Sequence, residues 1–142
     1  MTVCQWLGRA RNISREVDML ERSRREEYER VTSIASQLSG SAGTTSSPNP
    51  HKFDKLIEYD ELLGRRVEEL LGVKAEIEEQ ISRLKDSRCR MLLHMRYVDC
   101  REWNEIRRNM HYSESNIYKL RKKAIADLAK ILICNKAEWP DL

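Results

Sequence analysis

The chain of 142 residues holds one phenylalanine, five glycines and three prolines, and aromatic residues make up 6% of it. So little glycine, proline and strand-favouring aromatic argues against a fold of many short strands and tight turns. No stretch approaches the ~20 apolar residues in a row that a membrane-spanning helix needs, so no membrane partner is expected. Met1 to Arg15 carries Arg9, Arg11 and Arg15 where a secretory signal would place an apolar core. None of Cys4, Cys89, Cys100 and Cys134 forms a C-x-x-C pair, and His51, His94 and His111 are scattered. The paired spacing of a metal site is missing, and no metal or cofactor is expected. The thiols suit a reducing, cytoplasmic compartment. Glu76, Glu78 and Glu79 have no nearby histidine and no glycine-rich phosphate loop, so they read as charge on a solvated helix face, and the chain does not read as an enzyme.

What is abundant is charge. Charged residues reach 35% and hydrophobic residues only 40%, against about 25% and roughly 45–50% in ordinary globular chains. That balance fits helices with narrow apolar stripes. The net charge of +3 is unevenly spread. Met1 to His51 carries +1, Lys52 to Leu84 carries −3, and Asp86 to Ile133 carries +5. A basic C-terminal third on a neutral-to-acidic scaffold is the footprint of a nucleic-acid module, with a merely solvated basic face as the alternative.

Ser39 to Pro50 reads SGSAGTTSSPNP, with no charge and no large apolar side chain. It is expected to be a flexible linker, 39–51, between two helical arms. In arm 1, residues 1–38, the positions Val3, Trp6, Ala10, Ile13, Val17 and Leu20 advance by threes and fours. The stripe lapses at Arg24 and Glu27 and resumes at Val31, Ile34 and Leu38, an a/d seam with a polar gap. The gap, ERSRREEYER, is expected to be an exposed helix supported by charge pairs three and four apart. In arm 2, residues 52–85, Leu56, Leu63, Leu70, Ile77 and Leu84 fall every seventh position, widened by Tyr59, Val67, Val73 and Ile81. Each arm would be roughly 50 Å long at 1.5 Å per residue. Matched stripes predict an antiparallel hairpin, or a coiled coil that makes a homodimer through the arms.

A third helix is expected from Asp86 or Ser87, either of which can cap it, through Met91, Leu92, Leu93, Met95, Tyr97 and Val98. A polar break at Asp99-Cys100-Arg101 precedes a short helix with Trp103, Ile106 and Met110. After a turn at His111-Tyr112, Ser113 caps a fifth helix with Glu114 in its first turn, where a negative charge suits the dipole. Its apolar face is Ile117, Leu120, Ala124, Ile125, Leu128, Ile131 and Leu132. Residues 134–142 read as a loose tail. The expected architecture is all-α: the hairpin or coiled coil, then a three-helix helix-turn-helix module over 86–133. Its core would be Leu92, Tyr97, Trp103, Ile106, Ile117, Leu120, Ala124 and Leu128, with Trp103 and Ile106 buried against Ile117 and Leu120.

In such a module the first turns of the second helix enter a major groove. The hydrogen-bonding side chains there are Glu114, Ser115, Asn116, Tyr118 and Lys119, and these are the candidate base readers: Asn suits adenine, Glu the cytosine amino group, Lys guanine. Arg107, Arg108, Arg121, Lys122 and Lys123, with Ser113 at the helix start, would meet phosphates.

From Arg90 to Ile106 the chain reads RMLLHMRYVDCREWNEI, followed by Met110, Tyr112-Ser113, Ile117-Tyr118, Leu120, Ala124 and Leu128. This run resembles region 4 of sigma-70-type factors in its Arg-Tyr, Trp-x-Glu-Ile and serine-cap elements. With the long arms, the chain is similar to small prophage regulators of Gram-positive bacteria of the ArpU and RinA late-gene type. The resemblance implies sequence-specific binding of promoter double-stranded DNA, contact with RNA polymerase, and base reading by Glu114, Ser115, Tyr118 and Lys119. The pattern is departed from at several places. Cys100 and His111 stand where glycine is usual, which would strain both turns. Arg107 replaces a small residue between the helices and must snorkel outward. Tyr118 and Glu114 replace residues that are often basic, so the DNA target is not carried over. No counterpart of sigma region 2 is visible, which favours a regulator over a complete sigma factor. The rival expectations are an adaptor that docks on RNA polymerase and a small DNA-packaging subunit of the terminase type.

Overall fold

Thr2 and Gln5 start the first helix reciprocally. The Thr2 hydroxyl accepts from the Gln5 amide at 3.2 Å, and the Gln5 side chain accepts from the Thr2 amide at 2.8 Å. This capping box satisfies two donors that a helix start leaves open. The computed structural model describes residues 1–39 and 50–134, without the side chains of 34–39. It is all-α, with no strand among the described residues. Helix α1 is Val3–Ser39, α2 is Asp54–Ser82 and α3 is Ser87–Leu93. A π-helical turn, His94–Val98, continues α3, and α4, Trp103–Met110, and α5, Glu114–Cys134, follow. Residues 40–49 of the expected linker, residues 135–142 of the tail, and the side chains of Ile34 and Leu38 lie outside the described residues. No helix among the described residues is long and apolar enough to cross a membrane.

The chain forms two compact units, one of Met1–Ser14 with Glu69 onward, the other Arg15–Glu68. Within the second unit, Glu16 pairs with Arg66 at 3.2 Å and Arg24 pairs with Asp60. Residue numbers fall along α2 as they rise along α1, so the arms run antiparallel within one chain. Val17 and Val31 are buried in this unit, while Leu56, Tyr59, Leu63 and Val67 are half-buried. The expected exposed gap is corrected at one position: Glu27 is 6% exposed. It sits in the seam because Arg30, one turn on, grips both carboxylate oxygens, at 2.5 and 3.1 Å. That guanidinium holds the Glu27 carboxyl below its ordinary value.

The first unit has the thicker core. Trp6, Leu7 and Ala10 of α1 are buried, as are Ile77, Ile81 and Leu84, and Arg9 meets Glu76 at 2.9 Å. Leu92, Leu93, Tyr97, Ile106, Leu120 and Leu128 are also buried in this unit. The compact unit therefore takes in both arm bases, where the sequence division set residues 86–133 apart.

For the third helix the structure decides between the two expected caps and changes the helix beyond it. Asp86 is the cap, accepting from the Arg88 amide at 2.9 Å. The helix then widens: the Asp99 amide reaches back five residues to the His94 carbonyl at 2.9 Å. A π turn holds an extra residue, which lets Met95, Tyr97 and Val98 all turn inward. Met91, by contrast, is exposed.

Candidate nucleic-acid interface

Helices α4 and α5 are joined by a turn that the backbone closes unaided. His111 ends α4 in the left-handed region, φ 58° and ψ 40°. The Tyr112 amide then reaches the Arg107 carbonyl at 3.2 Å and the His111 amide the Arg108 carbonyl at 3.3 Å, satisfying acceptors the helix end exposes. Ser113 opens α5, its hydroxyl accepting from the Asn116 amide at 3.3 Å. Cys100 is the second left-handed residue, also at φ 58°. Its turn is held from two sides. Arg11 of α1 donates to the Cys100 and Arg101 carbonyls, both at 3.3 Å, and Arg96 donates to the Arg101 carbonyl at 3.0 Å. The two glycine-like positions of the sequence are thus the two left-handed non-glycine residues among the described residues.

The expected base readers lie together on the first turns of α5. Glu114, Ser115, Asn116, Tyr118 and Lys119 are all exposed, Tyr118 at 55%. Ile117 and Leu120, between them, are buried and orient the helix. Glu114 meets Arg107 at 3.5 Å, so Arg107 does reach outward. Lys122 lies over the Tyr118 ring, 4.8 Å from its centre. Arg108 is exposed and donates to the Asn104 carbonyl at 3.3 Å.

Arg121 and Lys123, also expected phosphate contacts, hold partners drawn from other helical elements. Arg121 lies over the Trp103 indole at 4.9 Å, and Arg96 also lies over it, at 4.7 Å. Lys123 donates to Asp86 at 2.8 Å, and Arg88 donates to the same carboxylate at 3.2 Å. Those two cations, with the Arg88 amide, hold the Asp86 carboxyl far below the usual carboxylate range, and the carboxylate in turn raises Lys123 and Arg88. Burial beside Trp103 pulls Arg96 down from the ordinary guanidinium value.

Of the expected core, Leu92, Tyr97, Ile106, Ile117, Leu120, Ala124 and Leu128 are buried. Trp103 is corrected to half-buried: its ring packs under the Arg96 and Arg121 guanidiniums and is not enclosed by apolar side chains alone. Ile125 and Ile131 are half-buried as well. The sequence reading missed Arg11, Arg88, Arg96 and Tyr112. Arg88 was open to notice, since an Asx cap two residues before an arginine brings the two within reach. Arg11 was not, because its partners lie far along the chain.

Residues 42–129, well over half of the chain, match a family model described as "Protein of unknown function (DUF1492)". No curated protein and no solved structure matches the chain.

Proposed function

We propose that this chain, which belongs to the DUF1492 family, is a sequence-specific DNA-binding regulator of phage or prophage genes with a sigma region 4-like helix-turn-helix. One observation carries the reading: α5 starts from a serine cap after a left-handed turn and exposes Glu114, Ser115, Asn116, Tyr118 and Lys119 side by side. These are groups that pair with base edges, on a helix of the kind that enters a major groove. The +5 bias of residues 86–133 supports attraction to the phosphate backbone.

Selection of binding sites from random duplexes tests this directly and yields the target sequence. Against the selected site, Lys119→Ala and Tyr118→Ala should each weaken specific binding by about 1–3 kcal/mol. Lys122→Ala should weaken all duplexes alike and flatten the salt slope by roughly one unit. Failure to enrich any site, or equal loss on all duplexes for Lys119→Ala and Tyr118→Ala, overturns the groove assignment.

A second reading, docking on RNA polymerase, draws on a groove of α5 that begins at Tyr118 and runs on toward the C-terminal end of the helix. Ile125, Ala126 and Ala129 line a groove with Tyr118, Arg121 and Lys122, and Ile133 is exposed beyond it. Polymerase capture that persists while every duplex goes unbound at low salt selects this adaptor reading instead.

A further inference from the structure

A second groove lies beside the first turns of α5, lined by Arg88, Tyr112, Asn116, Lys119, Leu120 and Lys123. Three of these side chains are cations, and cations sharing one groove repel unless an anion sits among them. For two of them, Arg88 and Lys123, that anion is Asp86. One of its oxygens accepts from Lys123 at 2.8 Å and from Arg88 at 3.2 Å, and the other accepts from the Arg88 amide at 2.9 Å. A carboxylate between an ammonium and a guanidinium takes the donors that a phosphodiester oxygen would take. The pair is open to exchange, because the Lys123 side chain is 52% exposed.

We propose that this groove is a backbone-phosphate site and that Asp86 is its built-in competitor, holding Arg88 and Lys123 until a DNA phosphate displaces it. The inference rests on the DNA-binding reading and adds to it Arg88, from the start of α3, and the site's own brake. Asp86 thereby lowers affinity for every duplex and, since phosphates carry no base identity, leaves sequence preference unchanged.

The deciding variant is Asp86→Asn. Asparagine caps a helix as well as aspartate does and has nearly the same shape, so the start of α3 persists. The full chain is titrated with a short random-sequence duplex and with the duplex recovered by site selection. Asp86→Asn should tighten both by about tenfold at low salt, with the gain shrinking as salt screens it. Arg88→Gln should weaken both and flatten the salt slope by roughly 0.9. Because the first expectation is a gain, a folding defect does not imitate it. Unchanged or weaker binding by Asp86→Asn, with the parent chain still binding, overturns the competitor and leaves Asp86 a tie between α3 and α5. A parent chain that binds neither duplex at low salt removes the DNA reading itself, and this inference with it.

Discussion

Cys100 and His111 each hold a left-handed backbone at φ 58°, a region where the β-carbon of an L-residue crowds the following carbonyl. Both residues end a helical segment, and in both places the following amides bond back to the segment. Glycine would hold the same turn without the crowding. Cys100→Gly and His111→Gly should therefore each raise the unfolding free energy by about 1 kcal/mol, read from denaturant melts of the single variants. A loss at either position would mean that its side chain contributes more than its backbone costs. Asp86 gives a residue-scale prediction of another kind. Its folded-state carboxyl is depressed by Lys123 and Arg88, so its contribution to stability is present above the ordinary carboxylate pKa of about 4. That contribution is lost as pH falls through the depressed value. Asp86→Asn keeps the cap and removes the charge. The parent chain should melt above the variant at neutral pH, and the gap should close steadily below about pH 4. A gap that does not change with pH would place the stabilisation elsewhere.

At the scale of the element, the seams of α1 and α2 differ in depth along their length. Ile77 is fully buried, whereas Leu63 on the same heptad position is half-buried. Ile77→Ala should cost about 2–5 kcal/mol, the range for a filled core position. Leu63→Ala should cost about 1 kcal/mol, in line with partial burial. Equal costs would mean that the arms pack with uniform depth. The heptad itself was legible, because a leucine every seventh residue fixes which side of a helix is apolar, and burial follows that side from Leu70 to Leu84. The capped start of α5 was legible too, since Ser113 and Glu114 announce it locally. The π turn was not. Met91 to Val98 is an apolar run that fits an α-helix in several phases, and only packing decides that Met91 faces out while Met95, Tyr97 and Val98 all face in. Glu27 was hidden for a similar reason. A carboxylate in a seam position reads as a gap, and whether it is buried depends on how Arg30 turns to meet it.

For the whole molecule, the sequence divides most visibly at its serine-rich stretch and at residue 86, yet the compact units divide elsewhere. The reason is contact across long sequence separation. Arg11 reaches the carbonyls of Cys100 and Arg101, and Trp6, Leu7 and Ala10 are buried in the same unit as Leu92 and Leu128. Neither local periodicity nor composition encodes such a meeting, so the module's dependence on the start of α1 was illegible, while the exposed face of α5 was not. The placement of side chains was legible where they share one run of α5, and illegible where Arg88, Arg96 and Arg11 come together from separate elements. The division also sets an order of opening. Among its described residues, Arg15–Glu68 buries Val17, Val31 and the paired Glu27, and the rest of the seam there is half-covered. The other unit buries side chains from all five helices. Regions with few buried apolar contacts open at lower free energy than the core. Native-state hydrogen exchange should therefore find the amides of residues 17–33 and 56–68 exchanging by an opening of lower free energy. The amides of Leu92, Tyr97, Ile106, Leu120 and Leu128 should exchange only with global unfolding. Arg11→Ala removes the tie to the Cys100 turn, and should bring the amides of residues 99–102 down toward the weaker class while those of α5 hold. If all these amides instead share one opening free energy in the parent chain, the two units unfold as one, and the start of α1 supports the hairpin as much as it supports the helix-turn-helix.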